Sequence, residues 1–486
     1  MSRTRGGRLR AGVARCDITT GETGARIRDR LHAKALVLDD GVTRLAIVAM
    51  DVVAIGGIGD VGDDFLPRLR QRIERELDIP GSNVLVNASH THPPGRLLCG
   101  NDELVERTFG AVREAAMGMV PATVGWGRGR EDRLTMNRNL RLRDGRHWTI
   151  RHANPCPPDD EVVGLGPIDP DIGVIRVDRA DGRPLAAVYN FACHPLFGDA
   201  SGAITANFPG VASRLVEEHL GGATALFLQG AGGDVIDVSF KDFKRPRDIE
   251  PLGVALGLAV LEALRMVETG DADLSVITET IALPRRTDIP ERIGELEREQ
   301  SRLLASLRFT CLNFKAFLPL YLEHALHPEH PADYSYRYLQ EESVRADGLR
   351  AMDAHTRSCV EKYLANIRAM EKLARIQDDI ATLEHHRALN DAASEPTISA
   401  EVQGIRIGKC VLITSPAELL VEVGLNIKRR SPYEHTFVVA YSNGYIYYGA
   451  PAADYSKGGY EVTECLLAPE WQEIYERKAS EIISRL

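Results

Sequence analysis

Apolar residues recur along the chain at two spacings, that of a β-strand and that of an α-helix, and segments of the two kinds alternate. The stretch Ala35–Met50 contains two apolar runs separated by Asp40-Gly41, a pattern that predicts a β-hairpin. Residues 61–77 carry apolar side chains at helical spacing, and the apolar run at 83–88 that follows predicts a strand. This strand–helix–strand order predicts an α/β fold with a mixed central β-sheet flanked by helices.

The same reasoning predicts further elements on both sides of residues 287–394. Helices are expected at 102–117, 207–220, 251–268 and from Glu470 onward. Strands are expected at 11–18 (as an edge strand), Ala122–Trp126, Leu140–Ile150, 172–177, 185–192, 224–229, 275–283, 405–414 (as a hairpin on Gly408) and 436–443.

Residues 287–394 differ in character, because they are rich in charge, almost free of glycine and periodic at 3.6 residues. We interpret them as a helical insertion in one domain formed by 11–284 and 398–486. Its segment from Phe309 to Leu322 is unusually apolar. We expect this segment to pack its own helices together or against the core. A lid over a site or a dimer contact, and hence a homo-oligomer, are the alternatives.

Composition excludes several classes of function. The net charge of −10 over 486 residues, with no dense basic stripe, argues against nucleic-acid binding. No apolar run approaches the ~20 residues of a transmembrane segment. Residues 1–10 are expected to be a short flexible start without a secretory signal. Eight cysteines without a C-x-x-C pair predict reduced thiols and a cytoplasmic location.

Candidate chemistry lies where predicted strands end. His90 and His92 follow the strand at 83–88, and if the backbone is extended their side chains point to the same side. His194 and Glu418 stand at two other strand exits. A fourth exit opens a loop whose tyrosines could add an oxygen donor, and the residues alone do not choose among Tyr445, Tyr447, Tyr448, Tyr455 and Tyr460.

Imidazole and carboxylate ligands suit Zn²⁺. A zinc-bound water with a pKa near 7 would serve as the nucleophile toward an amide or ester carbonyl. A neighbouring histidine could move the proton to the leaving amine. Asp234, after the glycines of 230–233, could orient a ligand histidine or merely stabilise its own turn. The glycines themselves could bind an anion or let the backbone approach a ligand closely.

Several motifs, in this order, resemble the neutral/alkaline (non-lysosomal) ceramidase family. They are Ala11-Gly-Val-Ala-Arg-Cys-Asp-Ile-Thr, Ala88-Ser-His-Thr-His-Pro, Asn190-Phe-Ala-Cys-His-Pro, Gln229-Gly-Ala-Gly-Gly-Asp-Val, Pro416-Ala-Glu, Asn443-Gly-Tyr and Gly459-Tyr-Glu. The resemblance covers most of 11–283 and 398–462, and it implies a zinc-dependent amidohydrolase that cleaves N-acyl bonds.

The resemblance also implies roles for individual residues. His90, His194, Glu418 and Tyr455 match the zinc ligands. His92 matches the histidine that faces the substrate and handles protons. Arg138, within Asn137-Arg138-Asn139, matches the family's site arginine near the substrate oxygen.

This sequence departs from the ceramidases at Leu467, where they have a second site tyrosine. The metal chemistry therefore transfers better than the substrate, which is a small or lipid-like acyl compound and need not be ceramide. A metal-dependent esterase or lactonase, or a biosynthetic acyl-transfer or cyclisation enzyme, is the first alternative. A non-catalytic binding relative is the second.

Overall fold

The structure of the protein is a computed structural model. The structure describes residues 9–92, 97–150, 157, 159–196, 198–239, 246–330 and 336–486. The chain divides into two compact units, one made of Met1–Arg286 and Ala393–Leu486 and the other of Thr287–Ala392. Of the predicted flexible start, the described residues are Leu9, which is fully buried, and Arg10, which begins the first strand.

The first unit contains the strands of the molecule. In chain order they are β1 Arg10–Asp17, β2 His32–Asp39, β3 Arg44–Met50, β4 Val84–Ala88, β5 Val120–Arg130, β6 Thr135–Asn137, β7 Asn139–Leu142, β8 His147–Thr149, β9 Val162–Leu165, β10 Asp171–Arg179, β11 Pro184–Phe191, β12 Thr224–Gln229, β13 Val235–Asp237, β14 Leu274–Pro284, β15 Thr397–Ile407, β16 Cys410–Thr414, β17 Glu418–Leu419, β18 His435–Val439 and β19 Tyr448–Gly449.

The helices are distributed over both units. The first unit holds α1 Phe65–Leu77, α2 Asn101–Met117, α3 Asn207–His219, α4 Glu250–Arg265, α9 Val421–Arg430, α10 Tyr460–Thr463 and α11 Trp471–Arg485. The second unit holds α5 Ile289–Ser306, α6 Phe314–Leu326, α7 Tyr336–Ser343 and α8 Gly348–Ala392.

The largest sheet has eight strands in the order β12-β11-β10-β5-β1-β2-β3-β4. The pairs β3–β4 and β11–β12 are parallel, whereas the other neighbours are antiparallel. The predicted fold class, a mixed central sheet flanked by helices, is therefore confirmed. The expectation that 11–18 forms an edge strand is wrong, because β1 lies between β2 and β5 and pairs with both.

A second sheet, β14-β15-β16-β18, faces the first. Successive side chains of a strand point to opposite faces of the sheet, so one strand contributes to the cores on both sides of it. In β2, Leu36 and Leu38 join a core shared with Ile405 and Leu412 of the second sheet. On the other face of β2, Ala35 and other residues pack in a core with α1 and α2.

The predicted strand at Leu140–Ile150 is two shorter strands, β7 and β8. They pair as an antiparallel hairpin. Gly145 in the connecting turn has φ 85°, a conformation that interrupts a continuous strand and that glycine adopts without strain. Three of the predicted site's flanking residues, Pro93, Pro94 and Gly95, lie outside the described residues.

The second unit is made of helices. Ile289 and Ile293 of α5 pack against Leu383 of α8 in a small apolar cluster. Helix α6 buries Phe317. The expectation that the apolar segment 309–322 packs inward is wrong for most of its large side chains, because these are exposed: Phe309, Phe314, Leu318, Tyr321 and Leu322.

Among the helices of the described ranges, none combines the length and the apolar character that crossing a bilayer requires.

The contact between β1 and α2 depends on a missing side chain. A Cβ at Gly12 would lie 1.9 Å from the Ala115 carbonyl oxygen, whereas a Cβ at Gly110 of α2 would meet nothing within 4 Å. We expect Gly12→Ala to lower the free energy of unfolding by about 1–3 kcal/mol, since α2 must shift away from the sheet. Gly110→Ala is the matched control and should raise it by about 0.5–1 kcal/mol. Urea unfolding midpoints measure both, and equal midpoints for the two variants would contradict the packing described.

Candidate metal centre

Three strand ends of the first unit deliver side chains to one place. His90 follows β4 by two residues, His194 follows β11 by three, and Glu418 begins β17 after β16. The imidazoles and the carboxylate are almost completely withdrawn from solvent, with His90, His194 and Glu418 0%, 2% and 3% exposed. The sequence places these residues far apart, so only the two facing sheets bring them together.

Gln229, the last residue of β12, ties two of these strand ends to each other. Its buried side-chain amide donates hydrogen bonds to the carbonyl of Ser89 at 3.1 Å and to that of Cys193 at 2.8 Å. Each acceptor is the residue immediately before a site histidine. Gln229 thus fixes the spacing between the backbones that carry His90 and His194.

The glycine turn after β12 allows close backbone packing. A Cβ at Gly232 would lie 2.8 Å from the backbone nitrogen of Cys193, and one at Gly233 would lie 2.8 Å from the carbonyl oxygen of Glu418. Both glycines are therefore needed for the turn to fit between the segments that carry His194 and Glu418. The turn contacts the site through its own carbonyl groups.

The ligand-type atoms of the cluster lie within hydrogen-bonding distance of one another. His90 Nε2 is 3.0 Å from His194 Nε2, and Glu418 Oε2 is 3.1 Å from the former and 3.3 Å from the latter. His92 Nε2 lies 2.9 Å from His90 Nε2. The three histidines form a group whose geometry could hold a metal ion.

The hydrogen bonds of the other ring nitrogens settle the tautomers of two histidines. His90 Nδ1 contacts the Val53 carbonyl oxygen at 2.6 Å, and His194 Nδ1 contacts that of Gly232 at 2.9 Å. Because a carbonyl oxygen only accepts hydrogen bonds, both Nδ1 atoms carry the proton. Both Nε2 atoms therefore point into the cluster, the atoms through which such imidazoles bind a metal.

The charge state of the cluster follows from burial and from its neighbours. Burial, together with the nearby His90 and Arg138, holds the pKa of His194 well below its ordinary value, so this ring is neutral. Burial opposes ionisation of Glu418, but its contacts with the His90 ring and with the Tyr445 hydroxyl outweigh burial and lower the pKa of that carboxyl. The site thus combines two imidazole nitrogens with one carboxylate.

Such a donor set fits a zinc ion. Two lone pairs and a carboxylate oxygen at these separations repel one another unless a cation lies among them. The edges of a tetrahedron of ligands about 2.0–2.1 Å from Zn²⁺ are roughly 3.3 Å long, close to the observed 3.0–3.3 Å. The residues present therefore fit a small cation that prefers nitrogen and oxygen ligands.

Glu418 is held by two tyrosines that the sequence did not single out. Tyr445 donates to Oε1 of Glu418 at 2.5 Å, and Tyr441 contacts Oε2 at 3.4 Å. Tyr445 belongs to the tyrosine-rich loop, in which residue order gives no reason to choose one member. Tyr441 falls inside the strand predicted at 436–443, which ends at Val439.

The backbone at His90 is not extended, so the condition under which His90 and His92 would point to the same side is not met. His90 has φ 65°, in the left-handed region that non-glycine residues seldom occupy. Its ring meets that of His92 edge to face, with interplanar angle 87°. His92, unlike His90 and His194, is exposed. The pair therefore consists of one buried and one accessible imidazole. Strained residues of this kind cluster at functional sites.

Arg138 is buried beside the cluster. Its Nε donates to Glu461 at 2.6 Å, and its Nη2 donates to the carbonyl of Gly233 at 2.7 Å and contacts the Tyr448 hydroxyl at 2.9 Å. The Tyr448 ring is parallel to that of His194, with centroids 6.4 Å apart. Arg138 thus joins the glycine turn to an aromatic wall of the site.

Tyr455, the fourth ligand that the resemblance implied, has hydrogen-bond partners close to it in the chain. Its hydroxyl donates to the Leu467 carbonyl at 2.6 Å and lies 3.0 Å from Cys465 Sγ. The structure brings His90, His92, His194 and Glu418 together. Tyr455 as a ligand stays a prediction.

The carboxylate of Asp234 accepts hydrogen bonds from groups other than a site histidine. Its carboxylate accepts from the backbone nitrogen of Val421 and from the side chain of Asn137, while Gly232 supplies the acceptor for His194 Nδ1. Burial raises the pKa of Asp234 to about 7. Asp234 therefore joins the start of α9 to the strand that leads to Arg138, and it does not orient a histidine directly.

Comparison with known proteins supports the fold. The structure is similar to neutral ceramidase from Pseudomonas aeruginosa, with 18% identity, TM-score 0.61, and coverage of 99% of this chain and 75% of that one. It is equally similar to a ceramidase complexed with C2, with 18% identity, TM-score 0.63, and coverage of 99% and 76%. No family model and no curated protein matches the sequence. The resemblance to neutral ceramidases that the motifs indicated is thus confirmed at the level of the fold.

Metal content tests the donor set. We expect protein purified without added metal or chelator to carry about one equivalent of a divalent metal, because a buried set of three nitrogen and oxygen ligands retains it through dialysis. His194→Ala removes a buried ligand and should lose it. His219→Ala, at the exposed end of α3, is the control and should keep it. Inductively coupled plasma mass spectrometry gives the stoichiometry. Less than roughly half an equivalent in the unaltered protein would count against the metal site.

Proposed function

We propose that the protein is a zinc-dependent hydrolase of amide bonds in N-acyl compounds. The observation that carries the proposal is the convergence of two imidazole Nε2 atoms and one carboxylate oxygen within 3.3 Å in a buried position. The neutral ceramidase fold supports the same reaction class, because the solved structures with this fold that resemble the chain are described as ceramidases.

In this proposal His90, His194 and Glu418 hold the metal. When bound, Zn²⁺ supplies a Lewis acid that lowers the pKa of water to about 7 and polarises an acyl oxygen. Tyr441 and Tyr445 fix the carboxylate of Glu418, and the carbonyls of Val53 and Gly232 fix the two imidazoles. These groups preorganise the donors, so little reorganisation is needed during a reaction.

His92 is the proton-transfer group in this proposal. Its Nε2 lies at the edge of the cluster, 2.9 Å from His90 Nε2, and its side chain is exposed. An accessible imidazole beside a metal site can take a proton from water and return it to the leaving nitrogen. Amide cleavage requires that second transfer, because an amide anion is a poor leaving group.

Arg138 acts as a positioning residue in this proposal. Its Nε and Nη2 donate to Glu461, Gly233 and Tyr448, which supports a role in holding the glycine turn. The turn in turn supplies the carbonyl that orients His194.

A cavity of about 250 Å³ beside His92 supports an apolar acyl group as part of the substrate. The Asp60 carboxylate accepts hydrogen bonds from the backbone N–H groups of Leu97 and Leu98 and so shapes one wall of the cavity. The lining is mostly apolar: Val52, Val53, Ile58, Gly59, Val61, Leu97 and Leu98, with Asp60, Thr91 and His92.

A panel of N-acyl amides and the matching esters tests the reaction class. We expect hydrolysis of the amides, with kcat/KM higher for apolar than for polar acyl groups, because the cavity beside His92 has a mostly apolar lining. Product release is followed by liquid chromatography and mass spectrometry, with chelator-treated protein as the blank. Turnover of the esters alone would favour an esterase, and no turnover of any acyl compound by metal-loaded protein would remove the proposal.

The roles of two histidines are separable by substitution. His92→Ala should retain the metal while kcat falls by about 10²–10⁴, because general acid–base catalysis contributes that much. His194→Ala should lose both metal and activity. Metal analysis and steady-state kinetics on the same preparations provide the comparison. Loss of metal from His92→Ala would instead make His92 a ligand.

A further inference from the structure

The second unit contains two cysteines whose sulfur atoms are close together. Cys311 lies in the non-helical connector 307–313 between α5 and α6, and Cys359 lies on α8. Their Sγ atoms are 3.5 Å apart, although 48 residues separate them in the chain. A disulfide needs about 2.05 Å between the sulfurs. Side-chain rotation in a non-helical connector can provide the remaining approach.

Contacts on both sides hold this pair in place. The side chain of Asn366, seven residues after Cys359 on α8, accepts from the backbone nitrogen of Arg308 at 3.0 Å and donates to its carbonyl at 2.7 Å. On α6, the ring of Phe317 stacks on that of Tyr363, with centroids 4.6 Å apart. The connector is therefore fixed to α8 both before and after Cys311.

The two thiols have different surroundings. Cys311 is exposed, whereas Cys359 is buried. His355, one turn earlier on α8, places its Nε2 3.7 Å from Cys359 Sγ. The contact with Cys311, followed by burial, raises the pKa of the Cys359 thiol. The exposed sulfur is thus the one that meets an oxidant, and the buried sulfur has a base beside it.

We propose that Cys311 and Cys359 form a redox-active dithiol that closes reversibly to a disulfide on exposure to a peroxide. The Cys311 sulfur attacks one oxygen of hydrogen peroxide, so that an S–O bond forms, the O–O bond breaks and hydroxide leaves. Cys359 then passes its proton to His355 and attacks the sulfenic sulfur. The S–S bond forms, the S–O bond breaks and a second hydroxide leaves.

The overall reaction balances. The two sulfurs lose two electrons, which reduce the peroxide, and the two thiol protons complete two molecules of water. The product crosslinks the α5–α6 connector to α8 and encloses α6 and α7 in one covalent loop. A crosslink of this length restricts the unfolded chain strongly, so it should stabilise the second unit.

Thiol counting on the full-length protein tests the proposal. The reduced protein is freed of reductant, treated with a small excess of hydrogen peroxide, denatured and alkylated with N-ethylmaleimide. We expect two fewer adducts by intact mass than in the untreated sample, a Cys311–Cys359 crosslinked peptide in a non-reducing digest, and recovery of both adducts after dithiothreitol. Retention of all adducts, or a crosslink between other cysteines, would overturn the proposal.

Matched variants locate the reaction. Cys311→Ser should abolish the crosslink, and Cys359→Ser should leave a sulfenic acid on Cys311 that dimedone traps. Cys16→Ser, a partly buried cysteine of the first unit, is the control and should leave crosslinking unchanged. His355→Gln should slow closure by about tenfold or more, without changing dimedone trapping in the Cys359→Ser background. Crosslinking that persists in Cys311→Ser would refute the assignment. An unchanged closure rate in His355→Gln would refute the role given to His355.

Discussion

Two imidazole nitrogens and one carboxylate oxygen converge at a buried point, and the rest of the first unit is arranged around that convergence. With no cation among them, the lone pairs of His90, His194 and Glu418 would repel one another at separations of 3.0–3.3 Å. Burial strengthens the repulsion, because little solvent is present to screen it. The surrounding hydrogen bonds nevertheless hold the lone pairs inward, which is the arrangement that a cation would stabilise.

Several separate features enforce this arrangement. Carbonyl oxygens fix the tautomers of both histidines, and Gln229 fixes the distance between the backbones that carry them. His90 and Tyr441 both have left-handed backbones, with φ 65° and 56°. Strain of this kind costs of order 1–3 kcal/mol per residue and persists only where the surrounding structure determines the conformation. Its location at the cluster supports a functional rather than a purely structural role.

The helical unit follows different constraints. Helix α6 exposes most of its apolar side chains, and the connector before it is fixed to α8 by hydrogen bonds and stacked rings. Its cysteines are 3.5 Å apart because of these contacts rather than because of any local sequence pattern. The first unit depends on metal-type donors, whereas the second contains a pair of thiols with its own neighbouring base.

The sequence by itself determined the order and type of most elements and the residues that could bind a metal. Apolar periodicity depends on neighbouring residues, so the hairpin of β2 and β3 or helix α3 could be predicted locally. Strand exits marked His90, His194 and Glu418 for the same reason. Only the tertiary structure decided that β1 lies inside the sheet, that Tyr445 contacts Glu418, and that Cys311 meets Cys359. Each of these depends on long-range pairing between segments distant in the chain, and no local pattern of residues encodes such a pairing.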